Sequence, residues 1–359
     1  MSFPTLLACV LVSAAAAATS AQTEPLRMPA FENRHCSFSE VSGIGREEGF
    51  TRRDPSDIIR VDGAYYVWYS RVDHAELPER DRPMAASGYV ATIWYATSTD
   101  QGHTWTERGQ ALGPGPDGAF DAHAVFTPNI LKAVGKYYLF YTGVRPTPGR
   151  PEGGFANNST ADRTAIGLAA ADTPDGPFHR LSSSPVLSTS TPSATPGTVP
   201  SKFDSYRVDD AALLLRGGKV WLYYKGRNFD DGKQGPRFTQ MGVAIADAPE
   251  GPYVKQNSGN PILDKSHEVL IWPHREGVAA YASISKTVEY APDGLDFSTR
   301  PLAAPLEPKP IAPGAFRAGL TEPAAYGSAI RWGIAMRDPG GPCPYLVRWE
   351  WDVPAPISP

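Results

Sequence analysis

An all-β fold, and within it a five-bladed β-propeller, is predicted by three observations. An aromatic hairpin motif recurs as Gly63-Ala-Tyr-Tyr-Val-Trp-Tyr, Gly135-Lys-Tyr-Tyr-Leu-Phe-Tyr and Gly218-Lys-Val-Trp-Leu-Tyr-Tyr, each behind a segment opening at Asp54-Pro, Thr127-Pro or Asp210-Ala. A second strand and turn follow each copy: Ile93-Trp-Tyr-Ala-Thr-Ser with Asp100-Gln-Gly, Ile166-Gly-Leu-Ala-Ala-Ala with Pro174-Asp-Gly, and Met241-Gly-Val-Ala-Ile-Ala with Pro249-Glu-Gly. No segment past the N-terminal apolar run reads as a long amphipathic helix. Repeats at this interval mean repeated small sheets, and four short strands per unit make one antiparallel blade.

In chain order, Leu6 to Ala18 form an apolar, Ala-rich stretch, and small residues up to Ala21 suit cleavage. Residues 1–21 are thus expected to be a signal peptide, and the protein to be secreted or periplasmic. Residues 22–53 read as a polar N-terminal extension and 54–359 as the propeller. Blade one runs from Asp54 to about Leu112 and contains Ser98-Thr-Asp-Gln-Gly-His-Thr-Trp105, a hairpin in which Asp100 braces the turn and Trp105 packs beneath it. Blade two spans Asp121 to Leu181, and the Ser/Thr/Pro-rich stretch Ser182 to Lys202 lacks the apolar residues to fold alone. Blades three, four and five are placed near Asp204, Ser266 and Phe316, with Ala303 to Pro313 as a Pro-rich connection. The last two units are weaker copies, Glu268-Val-Leu-Ile-Trp with Gly277-Val-Ala-Ala-Tyr, and Glu322-Pro-Ala-Ala with Arg331-Trp-Gly-Ile-Ala.

Lys and Arg number 34 against 38 acids, a formal charge of −4, which argues against nucleic acid or an anionic membrane as partner. The 16 Tyr and 8 Trp suit a β core and can also stack on sugars. Once a signal is removed, Cys36 and Cys343 remain near the two ends of the chain. A bridge between them at the ring closure and two free thiols are both open. Asn157-Asn-Ser-Thr contains glycosylation sequons.

The first strands of all blades run in one direction beside the central channel, so their starting residues converge at one mouth. Those starts are read as Asp54, Thr127, Asp210, Glu268 and Glu322. Clustered carboxylates repel and resist burial. A proton donor and acceptor held across a bound sugar require such a cluster, and inversion requires a separation of roughly 6.5 to 9.5 Å. The alternative is that an individual acid caps backbone N–H groups or holds an axial cation. Trp94 is a candidate sugar platform, and Lys225, Arg227 and Arg317 could reach a ligand. Phe120-Asp121 and Phe203-Asp204 stand at matching distances before Thr127 and Asp210, an echo that marks a structural turn.

At Gly49-Phe-Thr-Arg-Arg-Asp-Pro-Ser-Asp-Ile-Ile, Thr92-Ile-Trp-Tyr-Ala-Thr-Ser-Thr-Asp, Val125-Phe-Thr-Pro and Ser266-His-Glu-Val, the chain resembles glycoside hydrolase family 117. The likeness extends from about Gly49 to Arg317. It implies a five-bladed propeller that releases 3,6-anhydro-L-galactose from the non-reducing end of agar oligosaccharides with inversion and without a cofactor or catalytic metal. By matching motifs, Asp54 is the general base, Asp210 a positioning or pKa-tuning acid, and His267 the general acid with Glu268 beside it. Trp94, Thr127, Glu322 and Arg317 are the candidate substrate contacts.

An imidazole with an ordinary pKa of ~6.5 suits proton donation near neutrality, and a neighbouring carboxylate favours its charged form. Consecutive residues of a regular strand face opposite ways, so the backbone at His267 and Glu268 must be irregular for both to face the sugar. The family's N-terminal helical dimerisation arm is not matched: Ser42-Gly-Ile-Gly-Arg46 stands there, and its glycines disfavour helix. Monomer and homodimer are both open. A family 43-like furanosidase or xylosidase is the alternative, though Thr127 replaces its second-blade acid, and a non-catalytic sugar-binding propeller is a third reading.

Overall fold

The computed structural model describes residues 36–145, 163–191, 201–228, 236–297, 308–317, 330–341 and 343–351. The expected signal peptide, the sequons and Glu322 lie outside the described residues. Five small antiparallel sheets make a five-bladed β-propeller. The described helices are short 3-10 turns, and none is long and apolar enough to cross a membrane.

The ring closes on a blade shared by both ends of the chain. Strand β1 (Cys36–Glu40) is the outermost strand of blade five. Blade one holds β2 (Phe50–Arg53), β3 (Ile59–Val61), β4 (Ala64–Asp73), β5 (Thr92–Ser98) and β6 (Thr106–Leu112). Blade two holds β7 (Ala124–Ala133), β8 (Lys136–Arg145), β9 (Arg163–Ala171) and β10 (His179–Arg180). Blade three holds β11 (Arg207–Arg216), β12 (Lys219–Arg227), β13 (Gln240–Ala246) and β14 (Val254–Lys255). Blade four holds β15 (Val269–His274), β16 (Gly277–Ala282) and β17 (Thr287–Ala291). Blade five holds β18 (Ile311–Ala315), β19 (Trp332–Arg337), β20 (Tyr345–Trp351) and β1.

Two boundaries differ from the sequence reading. Part of the expected N-terminal extension belongs to the propeller, since β1 pairs with β20 from Cys36↔Trp351 to Glu40↔Val347. The expected Pro-rich connection contains the inner strand of blade five, β18. Ala312 therefore takes the inner-strand place assigned to Glu322, which lies beyond that strand. Cys36 and Cys343 do not form a disulfide. The same register explains this, because Cys36 sits opposite Trp351 while Cys343 precedes the other end of β20.

The repeated aromatics are blade core. Trp68, Tyr69, Phe140, Tyr141, Tyr223 and Tyr224 are fully buried between neighbouring sheets, each such ring stabilising the fold by roughly 1.5–3 kcal/mol. The Phe-Asp echo is a repeated structural cell. Tyr141 Oη donates to Asp121 Oδ2 and Tyr224 Oη to Asp204 Oδ2, both at 2.9 Å. Arg180 and Lys255 from the outer strands complete the two cells at 2.7 and 2.5 Å. The Asp100 hairpin forms as expected: Oδ1 accepts from Ser98 Oγ and from the Thr104 amide, and Trp105 is buried below.

Arg317, expected to contact substrate, instead plugs the axis. Its guanidinium is 3% exposed and donates to Asp57 Oδ2 of blade one at 2.6 Å. It also donates to Leu213 O of blade three at 2.7 Å and Ile271 O of blade four at 2.8 Å. Asp57 accepts the Ala315 amide of blade five, and Asn129 of blade two reaches both Asp57 and Ala211 O. One guanidinium–carboxylate–amide knot thus joins all five inner strands, and satisfies inward-facing carbonyls that would otherwise be buried without partners.

Candidate active site

The inner strands deliver their first residues to the mouth through strained bulges. Asp54, Thr127, Asp210 and Ala312 have φ of 48°, 42°, 60° and 44°, in the left-handed region that non-glycine residues avoid. In blades two, three and five the register breaks between Phe126 and Asn129, Asp209 and Ala212, and Ile311 and Gly314. In blade one, residues 54–58 face only 67–69 between the pairs Arg53↔Ser70 and Ile59↔Tyr66. The extra residues turn side chains out of the regular alternation. Proline follows at Pro55, Pro128 and Pro313, where a ladder N–H is not needed.

Blade four reaches the same end by another route. His267 and Glu268 lie in a bend just before β15, and both their amides donate to Ser283 Oγ, at 3.2 and 2.8 Å. The irregular backbone required for both side chains to serve one site is therefore present.

These residues line a cavity of about 360 Å³. Asp54, Thr127, Asp209, Lys225, Thr239, His267 and Glu268 contribute to its floor and walls, together with Arg53, Arg207 and Arg227. Two 3-10 turns, Glu79–Met84 and Gly88–Val90, supply further lining residues from the β4–β5 connection, including Met84, Ser87, Gly88 and Tyr89. Gly88 is fixed by close approach, since a Cβ there would stand 2.5 Å from the Phe126 ring and 3.3 Å from Asp54 Oδ2. A smaller hollow on the axis is lined by Asp54, Asp57, Asp210 and Glu268. Asp54 and Glu268 thus border both spaces, while Asp210 borders the hollow and His267 the cavity.

Asp54 is held by Arg53, whose Nε and Nη2 donate to its two carboxylate oxygens at 2.7 and 3.1 Å. Arg53 is held in turn by Ala86 O at 2.9 Å. Thr127 Oγ1 lies 2.5 Å from Thr142 Oγ1, and the Thr127 amide donates to Ser70 Oγ. His267 Nε2 stands 3.2 Å from Glu268 Oε1, and its Nδ1 stands 3.3 Å from Thr239 Oγ1. Lys225 Nζ lies between Asp209 at 3.5 Å and Asp210 at 3.8 Å.

Burial and charge redistribute the protons. The Asp210 carboxyl is raised well above the usual range by burial, and repulsion from Glu268, Asp209 and Asp54 adds to this against the pull of Lys225. Lys225 is raised, because Asp209, Asp210, Glu268 and Asp54 together outweigh the burial that lowers it. His267 is lowered to about 2 by burial, then by Lys225 and Arg227, against the opposing pull of Asp209 and Asp54. The expectation that the adjacent carboxylate keeps this imidazole protonated is therefore corrected: burial and the cations of blade three leave it neutral.

The remaining sequence candidates divide. Trp94 is half-buried outside the cavity lining, its Nε1 donating to Thr92 Oγ1 and its ring covered by the Arg71 guanidinium at 3.9 Å, so it is not placed as a sugar platform. Arg317 belongs to the axial knot. Lys225 and Arg227 line the cavity. Arg53, Tyr89, Arg207 and Thr239 were not singled out from sequence; their lining positions depend on the β4–β5 connection and on pairing across blade three, and only Arg53, beside Asp54, carried a local signal. Among the described residues, no group of three or more His, Cys, Asp or Glu is arranged to hold a metal ion.

The sequence model of glycosyl hydrolases family 43 matches residues 49–193, the first two blades. A family 117 glycoside hydrolase produced by the marine bacterium Zobellia galactanivorans aligns with a TM-score of 0.73 and 26% identity, over 92% of this chain and 94% of that one. A family 43 enzyme from Xanthomonas citri aligns at 0.53 and 14% identity, over 88% and 92%. A β-xylosidase/α-arabinofuranosidase from a compost microbial metagenome aligns at 0.54 and 16%, over 90% and 97%. The last two likenesses are of fold alone. No curated protein matches the sequence. With acids gathered at the propeller mouth, a family 43 match over two blades and a family 117 relative along nearly the whole chain, the protein is a glycoside hydrolase of the propeller type common to families 117 and 43.

Proposed function

We propose that this glycoside hydrolase is exo-acting and inverting, and that it releases 3,6-anhydro-L-galactose from the non-reducing end of agar-derived oligosaccharides. The observation that carries the reading is the gathering of Asp54, His267 and Glu268 around one cavity, with Asp210 in the hollow that adjoins it. Asp54, gripped by Arg53, faces the cavity as the base that would deprotonate water. Asp210 borders the adjoining hollow, where burial raises its carboxyl above the usual range.

His267 faces the cavity and would meet the leaving oxygen. Glu268 borders both spaces and touches His267 Nε2, so it links the acid in the hollow to the imidazole at the cavity. Thr127 offers a hydroxyl to the sugar from blade two. The lining turns around Tyr89 would exclude water around the reacting bond.

Product analysis on neoagarobiose and a panel of red-algal oligosaccharides tests the substrate, and NMR of the fresh product reads its anomeric form. Release of anhydrogalactose in the inverted configuration is expected. No release from any agar or carrageenan oligosaccharide overturns the substrate, and a retained anomer overturns the mechanism. A panel of aryl arabinofuranosides and xylosides tests the family 43-like alternative, against which Thr127 already counts. His267→Ala should lose far more activity on the natural disaccharide than on a substrate with an activated aryl leaving group; equal losses would remove the acid role. Secretion or periplasmic export is part of the same proposal, tested by N-terminal sequencing of protein recovered from the host.

A further inference from the structure

His267 and Glu268 owe their shared direction to a residue behind the site. The ladder between β15 and β16 begins at Val269↔Ala282. Continued by one pair, it would set Glu268 opposite Ser283 in regular alternation, and His267 and Glu268 would face opposite ways. Instead the amides of both residues donate to the Ser283 hydroxyl oxygen, at 3.2 and 2.8 Å. In an antiparallel ladder only every second amide of a strand points at the same neighbour. Two consecutive amides on one acceptor therefore mark a chain turned out of the ladder, in the manner of a backbone nest around an oxygen.

The surrounding contacts hold both sides of this bend. The Ser283 carbonyl accepts from Lys309 Nζ at 3.2 Å, and the Ile284 amide donates to Lys265 O at 3.1 Å. Lys265 itself has a φ of 54°, in the left-handed region, where the chain enters the bend. On the blade-three side the Ser266 amide donates to Thr239 O at 3.3 Å, and Thr239 Oγ1 stands 3.3 Å from His267 Nδ1. Of these partners only Ser283 engages the backbone of both site residues. It is 3% exposed and stands outside the residues that line the cavity and the hollow.

The residue type suits the task. A hydroxyl oxygen has two lone pairs, the number that two amides need. Alanine would take that acceptor away from both N–H groups, and continuing the ladder would satisfy one of them only by turning a side chain away from the site.

We infer that Ser283 is a positioning residue for hydrolysis: its hydroxyl holds the bend at 267–268 so that His267 and Glu268 reach the bound sugar together. This rests on the glycosidase reading above and adds a residue to its acid side.

The first test is hydrogen exchange at the His267 and Glu268 amides. Both should be protected in the wild type and exchange at least about tenfold faster in Ser283→Ala. The second is kinetic. Ser283→Ala should lower kcat on the natural disaccharide about 10- to 100-fold, as a displacement of about 1 Å does, with KM within about twofold of wild type. On a substrate with an activated aryl leaving group the loss should stay below about threefold, because the departing oxygen then needs little help from an acid. In a His267→Ala background the same substitution should cost less than it does alone. Ser283→Thr, which keeps the hydroxyl, should recover most of the protection and of the rate.

Unchanged exchange in Ser283→Ala, equal losses on the two substrates, losses that multiply in full with those of His267→Ala, or a threonine variant no better than alanine each overturn the inference. Exchange is read without any substrate, which separates the two readings. If no glycoside is cleaved while the two amides lose protection in Ser283→Ala, the glycosidase substrate is wrong and the placement of the bend by Ser283 stands. If glycosides are cleaved and Ser283→Ala matches the wild type, the inference is wrong and the glycosidase reading stands. Should Ser283→Ala fail to fold, Ser283→Cys, similar in shape but a weak acceptor, replaces it. Wild-type amides that exchange as freely as exposed ones overturn the inference alone.

Discussion

Replacing His267 with Asn should make the protein more resistant to acid. Below pH 6.5 the unfolded chain binds a proton at this imidazole that the folded chain refuses until about pH 2. Each unit of acidification in that window therefore removes about 1.4 kcal/mol of stability. At pH 4.5 the two-unit gap gives an upper bound of about 2.7 kcal/mol. The side chain is 28% exposed, so water offsets part of the penalty, and a difference of about 1.5–2.7 kcal/mol is expected. The assay is urea unfolding of both proteins at pH 7.5 and 4.5. The stability difference, variant minus wild type, should shift in favour of Asn by that amount on acidification, because other titrating groups act in both proteins. No shift would mean that the imidazole titrates in the folded site as it does in the unfolded chain, and a shift in favour of the wild type would mean that its pKa is raised. Either result would refute the lowering of His267 by burial and by Lys225 and Arg227.

Asp210 titrates with the opposite sign: its raised carboxyl favours the fold while neutral, and that contribution is lost as pH rises through the folded pKa. Asp210→Asn should therefore gain stability relative to wild type as the pH rises above the ordinary carboxylate pKa of about 3.9 in urea melts, while losing most hydrolysis. Arg317→Met should cost about 3–5 kcal/mol by leaving Asp57 buried without its cation. Asp57→Asn in that background should recover part of the loss, and KM of the folded double variant should match wild type if Arg317 touches no substrate. Gly88→Ala should lower kcat at least about tenfold by pressing the new methyl group against Phe126 and Asp54, with a smaller change in melting temperature; wild-type kcat would show that the turn yields without moving the base.

Three blades were legible because their hairpins repeat an aromatic, β-branched pattern between turn residues, and that pattern is what a half-buried blade requires. Blade five was shifted because its inner strand, Ile311-Ala-Pro-Gly-Ala, lacks those residues and contains a proline at a bulge, which reads as a linker. Asp54, Asp210, His267 and Glu268 were legible as a set through strand starts and motifs. Arg317 was not, since its partners are carbonyls contributed by other blades, and no local pattern announces that a cation will meet them. Trp94 failed for a similar reason, because Arg71 covers the ring from the neighbouring strand. The charge of His267 was misread because sequence displays Glu268 beside it and hides its burial, together with Lys225 and Arg227, which arrive from blade three.

The arrangement of charge around the axis accounts for how a buried acid cluster coexists with a stable fold. Carboxylates from adjacent blades cannot all ionise at short range without compensation. The ring meets this with a cation in each layer. Arg317 neutralises Asp57 and binds the inner strands together, Arg53 neutralises Asp54, and Lys225 is shared between Asp209 and Asp210. Sharing leaves more negative charge beside Lys225 than that one cation offsets, and with burial this raises the Asp210 carboxyl. Burial lowers His267, and Lys225 and Arg227 lower it further, so the imidazole is neutral beside a carboxyl that holds its proton more tightly than a free one.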